Sequence, residues 1–222
     1  MLNLLLEVLL LGAASAISPV IFGVSLSLLG ARNYPRQRAL SFLAGAVTVI
    51  VILAAAGSAI GSGVSAPGKA VTHPSAAIDM LIGFLFVIFG VKSGLPKQGE
   101  DKPSIANRRE VRSPQLIKWF AVGVALNITN LDAVMFNLTA TKEVFQSEIP
   151  LIYKTLLTAI SDVLFLVPVL LPVLVYLIMP STAKKVLDPI GVAEQKYGRY
   201  VVMIIFLAFG LYMILKGVRI IA

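Results

Sequence analysis

The chain has 222 residues, 58% of them apolar and only 14% charged, with a mean hydropathy of +0.90 and a formal net charge of +8. A soluble domain carries about a quarter charged residues, so the composition excludes one and points to an all-α polytopic membrane protein; in such a chain basic loops set orientation, and no nucleic-acid partner is expected. The absence of cysteine removes disulfides, thiolate metal sites and dithiol relays, and the single histidine, His73 in the loop SAPGKAVTHPS, leaves imidazole-bound metals without a home.

The opening MLNLLLEVLLLGAASA imitates a secretory leader, with an A-x-A-like site at Ala14-Ser15-Ala16. No positive segment precedes it, Glu7 interrupts it, and the apolar character continues past the supposed cleavage site, so it reads as the first spanning helix. Apolar runs then fall at 3–29, 39–61, 75–93, 116–138, 150–178 and 200–221, each long enough to cross a bilayer at about 20 residues. The breaks carry turn or charge chemistry: GARNYPRQR, GSGVSAPGKAVTHPS, LPKQGEDKPSIANRREVRS, TATKEVFQSEI and PSTAKKVLDPIGVAEQKYGR. Six transmembrane helices in two halves follow: 1–93, a basic loop at 94–115, and 116–222.

Of the 19 Lys and Arg residues, fourteen lie on the first, third and fifth loops with their adjoining helix ends, and five on the other side. The positive-inside bias places the odd loops in the cytoplasm and both termini outside, as a multi-pass protein of the cell (plasma) membrane.

The two halves echo one another. FVIFG (86–90) matches FLAFG (206–210), and Ser15, Ser18 and Ser25 have the same spacing as Asn127, Asn130 and Asn137, each 112 residues on. Residues three and seven apart share a helix face. Three spans per half put the copies in opposite orientations, which predicts a 3+3 inverted repeat of the kind used by transporters.

The chemistry concentrates in spans 1 and 4. Pro19 removes a backbone donor and should break or kink GAASAISPVIFG near Ser18, either for packing or to line a midplane cavity. Its counterpart, GVALNITNLDAVMFN, holds Asn127, Thr129, Asn130 and Asp132. A carboxylate at a helix centre costs about 2.5–3.5 kcal/mol on insertion scales and therefore faces protein or water. In a continuous helix Asp132 would lie about 200° from Asn130, so either the helix is interrupted near Thr129-Asn130 or Asp132 serves a second surface; a structural hydrogen bond to a neighbouring helix is the plainer alternative. Asp162 forms a second deep polar face with Thr158 and Ser161, and a proton or cation relay between the two aspartates is expected. Glu7 and Asp79 lie nearer helix ends. Gly57-x-x-x-Gly61 permits close helix approach within the fold or across a dimer, and Pro168 and Pro172 should bend span 5.

The stretch SPVIFGVSLSLLGARNYPRQRALSFLAGAVTVIVILAAAGSAIG resembles the first half of GAP-type, peptidoglycolipid-addressing proteins of the LysE transporter superfamily, which pair a Ser-Pro break with a basic, proline-containing loop and a glycine-rich second span. NITNL (127–131) is similar to the Asn-Pro-Lys-Asn-Leu element that opens their second half, and FVIFG and FLAFG to their glycine-bearing third and sixth spans. The resemblance implies six helices in a 3+3 inverted repeat, a homodimer, and export of amino acids, cations or glycolipids. Ile128 and Thr129 replace the Pro-Lys pair and Asp132 is added, which shifts weight from a headgroup-binding lysine to a cation site.

The expected function is a secondary exporter of a small solute, cation or amphiphile, working by alternating access. Ser15, Ser18, Asn127 and Asn130 would line a central cavity, and Asp132 and Asp162 would couple transport to H⁺ or Na⁺. No cofactor or metal is expected. The alternative is a non-transporting scaffold that places cell-envelope lipids or partner proteins. An enzyme is not expected, because no His or Lys base stands beside Ser18 or Asp132.

Overall fold

The computed structural model describes residues 2–31, 33–64, 73–94 and 114–221. The described residues form eight helices: α1 (Leu2–Ser15), α2 (Pro19–Leu29), α3 (Pro35–Val64), α4 (His73–Gly94), α5 (Leu116–Thr129), α6 (Leu131–Gln146), α7 (Leu151–Ile178) and α8 (Ala183–Ile221). Arg32, the segment 65–72 and most of the basic loop at 94–115 lie outside the described residues.

Pro19 cannot donate to the preceding turn, so α1 stops and Pro19 becomes a first residue of α2. The new helix opens with the Phe22 amide on the Ser18 carbonyl at 2.9 Å, and the two arms meet at 57°. No proline stands at the second break. There the Asn127 amide donates to the Gly123 carbonyl at 2.8 Å and the Thr129 hydroxyl to the Ala125 carbonyl at 2.7 Å, local bonds that compete with helix continuation. Asn130 (φ −75°, ψ 69°) leaves helical geometry, yet its amide donates to Leu126 and its carbonyl accepts from Val134. One residue thus closes α5 and opens α6, with a 72° bend.

Three stretches, Pro35–Gly63, Leu151–Ile178 and Tyr200–Val218, are long and apolar enough to cross a membrane alone, and counting each bent pair as one span raises the number to five. In α4 the described apolar stretch Met80–Lys92 is shorter.

Two expected breaks are helical. TATKEVFQSEI belongs largely to α6, because Thr139 through Val144 are buried against neighbours. Residues 183–199 join α8: Ala183 and Leu187 pack with Phe22, so the charged stretch is one-sided rather than a loop. Helix α7 runs unbroken through Pro168 and Pro172, both buried in the helix pack.

Packing is reciprocal. Helix α3 lies against α5 and α6, α7 lies against α1 and α2, and α4 pairs with α8. Apolar burial does not drive helices together in lipid; close packing of small residues does. Gly57 and Gly61 both face α6, where a Cβ on Gly57 would stand 2.7 Å from the Thr141 Cβ. The α4–α8 crossing is equally tight: a Cβ on Gly83 would meet the Gly210 carbonyl at 2.8 Å, and one on Gly210 the Gly83 carbonyl at 2.9 Å. Beside that crossing, Phe86 stands edge-on to Phe206 at 5.1 Å, and Phe136 stacks on Phe206 at 4.1 Å.

Candidate functional site

The two helix breaks meet. The Asn130 side-chain amide donates to the Ser18 hydroxyl at 3.1 Å, joining the α1–α2 break to the α5–α6 break. Ser18 is buried and Asn130 half-buried. Pro19, half-buried, sets the first break. Asp132 sits in the first turn of α6, half-buried, where the positive end of the helix dipole favours a carboxylate. Its place is therefore at a helix start beside the junction, and the break removes the misalignment expected of a continuous helix.

The other expected residues divide. Ser15 is fully buried and its hydroxyl donates to the Gly12 carbonyl at 2.7 Å. Asn127, also buried, is occupied by Gly123, and exposed Thr129 by Ala125. These three side chains are committed to their own helices. Asp162 stands apart from the junction, on α7. Instead the Asn137 side-chain amide, on α6, donates to the Ser161 hydroxyl and to the Asp162 carboxylate, each at 3.1 Å.

Asn137 and Asp162 adjoin a cleft of about 350 Å³ between α3 and α7. Ala54, Ala55 and Ala159 leave the gap, Phe145 lines it from α6, and Ser58, Thr155, Thr158 and Asp162 supply polar atoms. Exposed Ala55, Thr155 and Ala159 mark its open side. Thr158 is 8% exposed, and its hydroxyl has no hydrogen-bond partner within the protein. The carbonyl oxygen of the Asn137 side chain, 0% exposed, likewise has none.

A third group was not anticipated as a unit. At the far end of α6, the Lys142 ammonium lies 2.9 Å from Glu143 Oε1, and the Lys216 ammonium on α8 lies 2.8 Å from Glu143 Oε2. Lys142 is 1% exposed. One turn earlier on α8, the Tyr212 hydroxyl donates to Glu7 Oε1 on α1 at 2.8 Å, within electrostatic reach of Glu143 and Lys216. The signal lay in the sequence as Glu7 and Lys216 inside apolar runs, but Lys142-Glu143 reads as loop chemistry until α6 is seen to continue through it. Among the described residues no group of His, Asp, Glu or Cys side chains is arranged to hold a metal ion.

No curated protein and no solved structure gives a significant match to this chain. A family model described as "Sap, sulfolipid-1-addressing protein" (SfLAP) matches residues 8–219. With helical described residues, several apolar helices and two bent helix pairs joined at their breaks, and with a match over nearly its whole length, the chain belongs to the SfLAP family of membrane proteins.

Proposed function

We propose that the chain is a secondary membrane transporter that exports a polar-headed amphiphile, with two three-span units rocking about the Ser18–Asn130 junction. The observation that carries this reading is that bond itself: it joins the breaks of two bent spans at positions 112 residues apart, the interval of the internal repeat. A residue that touches its own repeat partner lies on the pseudo-two-fold axis relating the copies, and broken helices at such an axis are where inverted-repeat transporters bind their cargo.

The rings of α4 and α8 support the same axis. Phe86 and Phe206 are repeat counterparts, as are Phe89 and Phe209. The ring centroids of Phe86 and Phe209 are 6.4 Å apart, and those of Phe89 and Phe206 are also 6.4 Å apart. Reciprocal contacts of this kind are the mark of a two-fold relation. They support six spans in a 3+3 inverted repeat, with α1–α2 matching α5–α6, α3 matching α7 and α4 matching α8. The resemblance to GAP-type members of the LysE superfamily points the same way, and the sulfolipid in the family description favours an amphiphile over a small free solute. Asp132 and Asp162 are the carboxylates proposed to carry H⁺ or Na⁺ coupling. No enzymatic step is proposed.

A cross-link tests the rocking. The chain has no cysteine, so Ser18→Cys with Asn130→Cys introduces a single bridgeable pair. In proteoliposomes containing a fluorescent sulfated glycolipid, the reduced double variant should move the lipid between leaflets and the oxidised one should not. Equal movement in both states sinks alternating access at this junction. No movement in wild type, reduced or not, leaves the scaffold reading.

A further inference from the structure

We propose that the cleft between α3 and α7 is a side-opening binding site for a hydroxyl-rich lipid headgroup, whose acyl chains remain in the bilayer. This rests on the reading of the cargo as an amphiphile. It adds where the headgroup sits and which atoms hold it.

Four observations converge. The first is shape: alanines at 54, 55 and 159 leave a gap between two spanning helices, and exposed Ala55, Thr155 and Ala159 make it open sideways rather than toward a membrane face. In a bilayer that side meets lipid. The volume of about 350 Å³ is at the lower end for small-molecule pockets, about 300–1,000 Å³. It accommodates a headgroup and excludes the chains.

The second is an unsatisfied hydroxyl. Thr158 lines the cleft, is 8% exposed, and has no partner for its Oγ1. A buried polar group without a partner costs about 1–3 kcal/mol, so its presence at depth is accounted for by a ligand that bonds to it.

The third is polarity. Asn137 takes up only Oδ1 of Asp162. The Thr155 and Ser58 hydroxyls donate to Leu151 and Ala55 carbonyls, which leaves both oxygens as acceptors. A cleft rich in acceptors selects a ligand rich in donors, and a polyol supplies them.

The fourth is a cation beside the cleft. Phe145 lines it, and Lys154 donates to the Phe145 carbonyl at 2.9 Å with its ammonium 5.8 Å from the ring centroid. Lys154 does not itself line the cleft but lies one turn from Thr158 on α7, so an anionic substituent on a headgroup reaching past Phe145 would meet its ammonium. Lys154 and Asp162 are eight residues apart on α7, about 12 Å along its axis. That span exceeds the phosphate-to-amine separation of an ethanolamine headgroup and suits sugar rings bearing a negative group at the Lys154 end.

The test is binding, read separately from transport. Full-length protein in phosphatidylcholine nanodiscs is titrated with galactosylceramide, with its 3-sulfated form, and with free galactose, using native mass spectrometry of the released complexes. Both glycolipids should be retained at least tenfold over phosphatidylcholine. Ala159→Phe, which fills the cleft from an exposed position, and Thr158→Val should each lower that retention at least tenfold, with the melting temperature of the lipid-free protein unchanged in the first and unchanged or raised in the second. Lys154→Gln should abolish only the preference for the sulfated lipid. Equal retention of phosphatidylcholine, or undiminished retention in both Ala159→Phe and a second filling variant, Ala55→Phe, overturns the site. Competition by free galactose as strong as by the lipid overturns the lateral lipid assignment in favour of a soluble sugar. Binding that follows these variants without any transport retains the site and removes the transporter reading; transport that survives a filled cleft does the reverse.

Discussion

Asn130 donates to Ser18 at 3.1 Å across 112 residues of sequence, and each residue lies at the break of its own span. The bond therefore couples two bent helices at the one point where both backbones are freest to turn. Hydrogen bonds between membrane helices are worth about 0.6 kcal/mol on average and at most about 1.7. A bond of that size is strong enough to bias a conformation and weak enough to break in the rocking proposed above.

A double-mutant cycle on this pair separates coupling from folding. Ser18→Ala and Asn130→Ala should each destabilise by about 0.5–1.5 kcal/mol, with a coupling energy near 0.6 kcal/mol. Unfolding in bicelles measures both. If the two proposed units rock about this bond, the transport defect of either single variant should be much larger than its stability loss. A coupling energy of zero would mean that the contact does not constrain the breaks.

Helix α6 is clamped to α3 by two glycines, and this predicts a sharp positional contrast. Gly57→Val brings new atoms onto Thr141, where even a Cβ would stand 2.7 Å away; overpacking of this kind costs about 1–3 kcal/mol. Gly63 has nothing within 4 Å of a Cβ, so Gly63→Ala should be neutral or stabilising by up to about 1 kcal/mol through helix propensity. Melting temperatures of the two variants in the same detergent decide the matter.

The first break was legible because it is written locally, as Ser-Pro at 18–19; the second was legible only as one of two alternatives, because no proline marks it among the backbone-competing side chains at 127–130. The amide and serine stripes were legible as spacing, but spacing does not reveal partners. Ser15 and Asn127 bond within their own helices, Ser18 and Asn130 bond to each other, and Asn137 reaches across to α7. One pattern thus contains three physical roles. The extent of α6 was not legible, since Lys142 and Glu143 look like loop residues until a third helix brings Lys216 to the same carboxylate. The α3–α7 cleft was not legible either, because it is made by what three alanines on two distant helices fail to fill.

Orientation is open to direct labelling, since the chain has no cysteine background. Exposed positions Asn33 and Ser181 lie on connections expected in the cytoplasm, and exposed Glu148 on a connection expected outside. In intact cells, a membrane-impermeant maleimide should label Glu148→Cys but reach Asn33→Cys and Ser181→Cys only after permeabilisation. The reverse pattern would invert the topology and place the Glu143 cluster at the cytoplasmic end. Labelling of Asn33→Cys and Ser181→Cys from opposite sides would contradict an even number of crossings between them.

The Glu143 cluster should be the most sensitive electrostatic element of the fold. Its carboxylate is shared by Lys142, which is 1% exposed, and by Lys216, whose side chain is 27% exposed. Removing one partner of a buried ion pair costs about 3–5 kcal/mol, because the other charge is left in a medium that does not solvate it. Glu143→Gln should therefore approach that figure, as Lys142 has little route to water. Lys216→Met should cost less, about 1 kcal/mol, since Glu143 keeps Lys142 and the lost contact is partly solvated. The double variant Lys142→Met with Glu143→Leu should recover most of the loss, because Lys216 can extend its head toward the interface. Raising salt should change none of these differences strongly, as screening acts on exposed pairs. The order Glu143→Gln, then Lys216→Met, then the rescued double variant, measured as unfolding free energies in bicelles, tests whether this carboxylate ties α6 to α8. A Glu143→Gln protein as stable as wild type would show that the ammoniums are held by other groups, and that the cluster fastens these helices through Tyr212 and Glu7 instead.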